Sequence, residues 1–417
     1  MKRYGNAALI TLSIAVLASA CSGTEAESRG LESHRDTVDG VPRLLYPGTG
    51  GQTLAWRMDT LAVIGDILGD DPDYQFDQVT PGGVTSDAAG NVWLLDGTGH
   101  RVLGYSPDGA FIASHGRKGS GPGEINVPFG VVAGPGDTLW VTEMMSGRLT
   151  GYPAGGGEPR VITFDASAAP APPLVVREDR ILAAMRFTFG PGQGPRPQDE
   201  GQRLAVVARY TPDGTLQDTL YAMPLPEPDV VQVESGNRRM MMLSTPRFSP
   251  ILRWAVFSDG SLAVVDDDRY SIHILNPDGT ERLRIERDAP PRATTEADKQ
   301  AVLEEMRSQE VRTFGTDRAM VAEIQRRQIE STTFAATIPR IESIAIDPQD
   351  RLWVLASSDE PGADGRVDLY DRDGALLGTL PNLKLPAAFL RNGLAAYLGK
   401  DEDTDVQQVT VVRLIEG

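Results

Sequence analysis

Two acid–arginine pairs recur at one offset, Asp96 with Arg101 and Glu143 with Arg148. Such groups can move protons, or they can tie neighbouring strands together as ion pairs. Each pair straddles a short polar loop between apolar runs, which favours the ion pair. Four histidines, His34, His100, His115 and His273, lack any His-x-x-x-His or comparable ligand spacing. No metal or other cofactor is expected. The run Gly116-Arg117-Lys118-Gly119-Ser120-Gly121-Pro122-Gly123-Glu124 has the glycines of a phosphate cradle. It lacks the Gly-Lys-Ser/Thr ending and the helix that a cradle needs. No nucleophile, base and oxyanion donor can be assembled, so no catalytic residue is assigned and binding is expected rather than catalysis.

The elements that carry these residues repeat. Val92–Asp96 leads to Arg101–Tyr105 and then Ser106-Pro107-Asp108-Gly109. Copies run from Leu139 to Gly156, Ile181 to Gly214, Leu262 to Gly279 and Leu352 to Gly374. A Tyr or Leu stands four residues before each turn glycine, and Trp93, Trp140 and Trp353 share one aligned position. Proline pre-sets φ for the turn, aspartate bonds its own backbone, and glycine takes positive φ. Short strands with turns between them give four-stranded antiparallel meanders, and repeats of such meanders stack as propeller blades. The expected fold is all-β, a six-bladed β-propeller with a helical insertion at about 287–337. The sixth blade is composite: Phe389–Lys400 and Val406–Ile415 lack an outer strand, and Thr60–Gly65 is expected to supply it.

The glycine run above, followed by Pro128, and the pattern Asp87-x-x-Gly90-x-x-Trp93 resemble NHL-repeat six-bladed propellers and the wider TolB-like and SMP-30-like group. The resemblance covers roughly residues 59–417. It implies the fold, and it brings a rival function: a metal-dependent hydrolase or lyase with its site in the central channel. SMP-30-like enzymes use several carboxylate and amide ligands there, and Glu342 alone can be placed at that position.

Strand order puts the loops between second and third strands, and the connections from one blade to the next, on one face. Three long insertions belong to that class: Arg186–Gln202, Leu216–Leu252 and Arg287–Thr337. Thr295 and Asp298 form a plausible helix cap in the last, and its apolar stripe is expected to pack on the propeller. The loop-rich face is therefore the expected docking site for a protein, peptide or glycan. Phe129 and Trp254 are assigned to the floor of the channel mouth, Glu342 to its rim, and Arg238, Arg239 and Arg247 to its wall.

Compartment follows from the N-terminus. Met1–Ala20 joins a basic start to an apolar stretch and small residues, the pattern of a signal peptide. Leu17-Ala18-Ser19-Ala20-Cys21 resembles the bacterial lipoprotein signal, with Cys21 as the lipid attachment site. Ser22 in place of Asp favours the outer over the inner membrane of the cell envelope. Residues 21–58 read as a flexible tether, and 59–417 as the propeller. Acidic residues outnumber basic ones, 58 to 40, and loss of Lys2 and Arg3 takes the formal charge from −18 to −20. That charge disfavours nucleic acid as a partner. Membrane contact is expected through the lipid only, and the protein is expected to be a monomer.

Overall fold

The computed structural model describes residues 31–417 except 67–68, 77, 144–146, 165–170, 185–203, 227–228, 236–237, 309–317, 382 and 402–405. The chain forms a six-bladed β-propeller. The first blade is Val84–Ser86, Val92–Asp96, Arg101–Tyr105 and Phe111–His115. The second is Pro128–Gly134, Thr138–Glu143, Arg148–Pro153 and Arg160–Thr163. The third is Ala171–Val176, Ile181–Ala184, Leu204–Tyr210 and Leu216–Pro224. The fourth is Arg253–Val256, Leu262–Val265, Ser271–Leu275 and Glu281–Arg287. The fifth is Ile341–Ile346, Leu352–Ala356, Arg366–Tyr370 and Leu376–Leu380. Leu216–Pro224 is thus the outer strand of a blade, and the insertion read from Leu216 begins only after it.

The blade core explains the recurring tryptophan. Trp93 and Trp353 each donate Nε1–H to an aspartate six residues upstream, Asp87 and Asp347, at 2.9 Å. Both aspartates are buried, and Asp87 also accepts from the Asn91 backbone and side chain at 2.9 Å. One carboxylate therefore closes the first turn and locks the indole between blades. In the second blade the position six before Trp140 is Gly134. A Cβ there would stand 2.9 Å from the Trp140 Nε1, and that indole nitrogen is buried without a partner. Trp93→Phe should then destabilise by about 1–3 kcal/mol, because a buried carboxylate loses a donor. Trp140→Phe removes no hydrogen bond, so its denaturation midpoint should fall by less. Equal losses in the two variants would refute this account.

Ring closure is as expected. Arg57–Ile64 pairs antiparallel with Gln407–Ile415, from Arg57 opposite Ile415 to Ile64 opposite Val409. With Ala388–Phe389 and Leu394–Lys400 they complete the sixth blade. The flexible tether read over 21–58 needs correction. His34–Val38 and Val41–Tyr46 form a hairpin that extends the fourth blade to six strands, Val41–Tyr46 running parallel to Glu281–Arg287. Further on, Leu54 N–H donates to Thr379 O at 2.9 Å, and Thr379 N–H to Gln52 O at 2.7 Å. Composition concealed this belt, because its partners are blade edges far along the chain.

One buried cation ties the belt down. The side chains of Arg287 and Asp368 are both 0% exposed, with Nε 3.4 Å from Oδ2. Arg287 Nε donates to Tyr370 OH at 3.0 Å, and its Nη1 donates to Gly50 O at 2.7 Å and Gly48 O at 3.3 Å. Deleting residues 22–50 strips carbonyl partners from a buried charge and removes the hairpin. The deletion should lower the melting temperature by several degrees; an unchanged melting curve would show the belt to be a passive cover.

Beyond the blades, Asp229–Ser235 and Arg238–Ser244 form a hairpin, and α1 (Glu296–Ser308) and α2 (Arg318–Glu330) form the helical insertion. The Thr295 cap is present: Asp298 N–H donates to Thr295 Oγ1 at 3.3 Å, and Thr295 N–H to Asp298 Oδ2 at 2.8 Å. The helices pack on each other, and α2 packs on the hairpin. Arg247 N–H donates to Thr333 O at 2.7 Å, Ala335 N–H to Arg247 O at 2.8 Å, and the Phe248 and Phe334 rings lie 5.8 Å apart. These two insertions therefore share one face. Arg186–Gln202 lies outside the described residues.

Candidate functional site

The first strand of each blade is innermost, and the first strands of the sixth, first, second, third, fourth and fifth blades touch in that order. At their starts, on the face that bears the insertions, three carry register shifts. The shifts fall between Pro128 and Gly130, between Ala171 and Leu174, and between Ile341 and Ser343. A bulge frees a residue from the ladder and re-aims its side chain. The freed residues are Phe129, Pro172-Pro173 and Glu342. Phe129 is 40% exposed, a large apolar side chain left uncovered at the channel mouth.

Glu342 is exposed at the start of its strand, and partial desolvation of its carboxyl raises its pKa above the ordinary glutamate value; Arg253 opposes the rise and Asp364 adds to it. Arg253 opens the innermost strand of the adjacent blade and is half-buried. Burial lowers its pKa, and Glu342 partly offsets that effect. Among the described residues, no hydrogen bond or ion pair engages the Arg253 guanidinium.

The residues read from sequence fare differently. Phe129 and Glu342 both stand at the mouth, on bulges. Trp254 is 3% exposed and packs between the third and fourth blades, so it forms no part of the floor. Strand alternation turns Trp254 into that seam and Arg253 away from it. Arg253 was the residue missed; its signal was a charge at the head of an innermost strand. Arg247 is exposed, and its backbone joins the two insertions. Arg238 and Arg239 begin the second strand of the insertion hairpin; their side chains lie outside the described set.

The acids of the two recurring acid–arginine pairs are engaged. Arg101 Nε lies 3.0 Å from Asp96, and Arg148 Nη2 lies 2.7 Å from Glu143. Each arginine also reaches the incoming blade connection, Arg101 at Gln75 O (2.7 Å) and Arg148 at Ser120 O (2.8 Å). On the opposite face, turn carboxylates bridge blades: Ala88 N–H donates to Asp137 Oδ1 at 2.9 Å, and Ser258 N–H to Asp350 Oδ1 at 2.8 Å. Among the described residues, no three His, Cys, Asp or Glu side chains converge to hold a metal ion.

A second titratable cluster lies across the third and fourth blades. Tyr221 donates to Asp266 Oδ2 at 2.6 Å, and His273 sits 2.7 Å from Glu281 and 3.4 Å from Asp266. Burial alone would lower the His273 pKa; hydrogen bonds to the two carboxylates outweigh it and raise the pKa. Its stabilising effect is full below the unfolded-state value of about 6.5 and fades as pH rises through the folded value. His273→Gln should therefore lose most stability near pH 6 and less near pH 9, as measured by urea unfolding. A constant or growing loss with pH would contradict the sign.

No family model matches the sequence, and no curated protein matches it. Solved structures do. An exported-protein candidate from Bacteroides fragilis is 10% identical, covering 90% of this chain and 100% of its own, with a TM-score of 0.49. A member of the DUF4221 family from Bacteroides vulgatus is 8% identical over 88% of this chain and 100% of its own, TM-score 0.46. A gluconolactonase from Xanthomonas campestris is 17% identical over 87% and 91%, TM-score 0.40. No functional residue is carried over from them.

Proposed function

We propose that this chain is an exported, lipid-anchored propeller of the NHL/TolB-like kind that binds a protein, peptide or glycan at its channel mouth. The observation that carries this reading is the convergence of two features on one face. Bulges free Phe129 and Glu342 there, and both described insertions project from the same side. Rigid strands under long loops are a usual arrangement for binding. The rival reading, a metal-dependent hydrolase or lyase, needs converging metal ligands, and nothing among the described residues favours it.

The anchor fits this arrangement. With Cys21 acylated and Ser22 directing the protein to the outer membrane, residues 22–30 span at most roughly 30 Å before Leu31. His34 pairs with Leu45, and Tyr46 with Arg287 at the end of the fourth blade's outer strand. The chain thus joins the rim on the insertion-bearing side, which supports a mouth turned toward the bilayer.

Cys21→Ser should move the protein from the membrane to the soluble fraction with an unchanged melting temperature. Mature protein probed on defined peptide and glycan arrays should give signals that Phe129→Ala abolishes. Retention of Cys21→Ser in the membrane pellet would end the anchor reading. Arrays without Phe129-dependent signals would end the binding reading.

A further inference from the structure

We infer that the mouth is built for a ligand that carries a single carboxylate on an apolar body, with Arg253 as the group that receives the carboxylate. This deepens the binding reading above and rests on it.

Arg253 differs from the arginines that brace the blades. Arg101, Arg148, Arg287 and Arg351 each meet a carboxylate of their own or a neighbouring strand or turn. Among the described residues Arg253 meets none, although it is half-buried at the head of an innermost strand. A guanidinium presents five donors in a planar fork. Leaving that fork unused while part of its hydration is removed costs free energy that a bound anion recovers. Ala255, on the same side of the strand as Arg253, packs against the seam with the fifth blade, and Glu342 is the charged group of that blade which Arg253 feels.

The same neighbours define the anion. A phosphate dianion calls for several cations, whereas Arg253 is the one cation among the described residues whose charge acts on Glu342. A monoanion of carboxylate shape fits the single fork. The apolar body is indicated by Phe129, 40% exposed, and by Ile251, 59% exposed and two residues before Arg253. Large apolar side chains left uncovered on the same mouth as this cation suit an amphipathic acid.

Glu342 then sets a proton requirement. Arg253 and Asp364 are the charged groups that act on it. A ligand carboxylate arriving at Arg253 adds a second negative charge beside Glu342, which favours its protonated form. The neutral carboxyl can donate its O–H to the ligand oxygen. Binding is therefore accompanied by proton uptake and strengthens as pH falls, down to the point at which the ligand's own carboxylate protonates.

The test is calorimetric titration of the mature protein with sodium octanoate, with octanol and octylammonium as controls. Runs at pH 6 in two buffers of different ionisation enthalpy report proton uptake. Octanoate should bind saturably, and both controls on the order of tenfold more weakly or less. Arg253→Met should lose on the order of 10- to 100-fold in octanoate affinity, the scale of a charge-assisted hydrogen bond. Glu342→Gln should bind octanoate at pH 7 at least as tightly as the parent, without proton uptake. Unchanged melting temperatures certify both variants as folded. Equal octanoate affinity in Arg253→Met, or equal binding of octanol, overturns the inference. Phe129-dependent array signals without octanoate binding overturn it while the binding reading stands; loss of both ends both.

Discussion

Backbone pairing between Arg57–Ile64 and Gln407–Ile415 holds the ring shut. Without it the last blade would present a bare edge, and edges invite pairing with other chains. Closure also forces the six innermost strands to converge on one axis. The channel mouth exists because of that convergence. The belt extends the same logic outward, since residues 41–54 pair with the outer strands of the fourth and fifth blades before Arg57–Ile64 becomes the outer strand of the sixth. Arg287 places a buried charge under the belt, so the belt cannot leave without exposing unmet hydrogen bonding.

The two faces of the disc are built on different principles. On the turn face the position three before the aligned tryptophan takes positive φ, at Gly90 (91°), Asp137 (50°) and Asp350 (59°). Where aspartate accepts that conformation, its carboxylate bonds the neighbouring blade. Backbone strain is thus offset by a brace between blades. The insertion face carries bulges, and it holds the half-buried Arg253, whose guanidinium finds no partner among the described residues. Rigidity on one side lets irregularity persist on the other.

Much of this was legible in the sequence. The turn triplets, the tryptophan spacing and the acid–arginine pairs are local patterns, and local patterns dictate strands, turns and hairpins through backbone geometry. Ring closure was legible too, because a lone strand at one end matched a missing strand at the other. Glu342 and Phe129 could be placed by aligning repeats. Trp254 could not, since a shift of one residue along a strand exchanges the seam for the opposite side. The sequence by itself determined the propeller, its blade count and its two-faced layout. Tertiary structure alone decided that 34–54 is a belt, that the insertions pack on each other, and that Arg253 is left unengaged among the described residues. Those outcomes depend on partners far away along the chain, and no local pattern encodes which distant edge or carboxylate will lie within hydrogen-bonding reach.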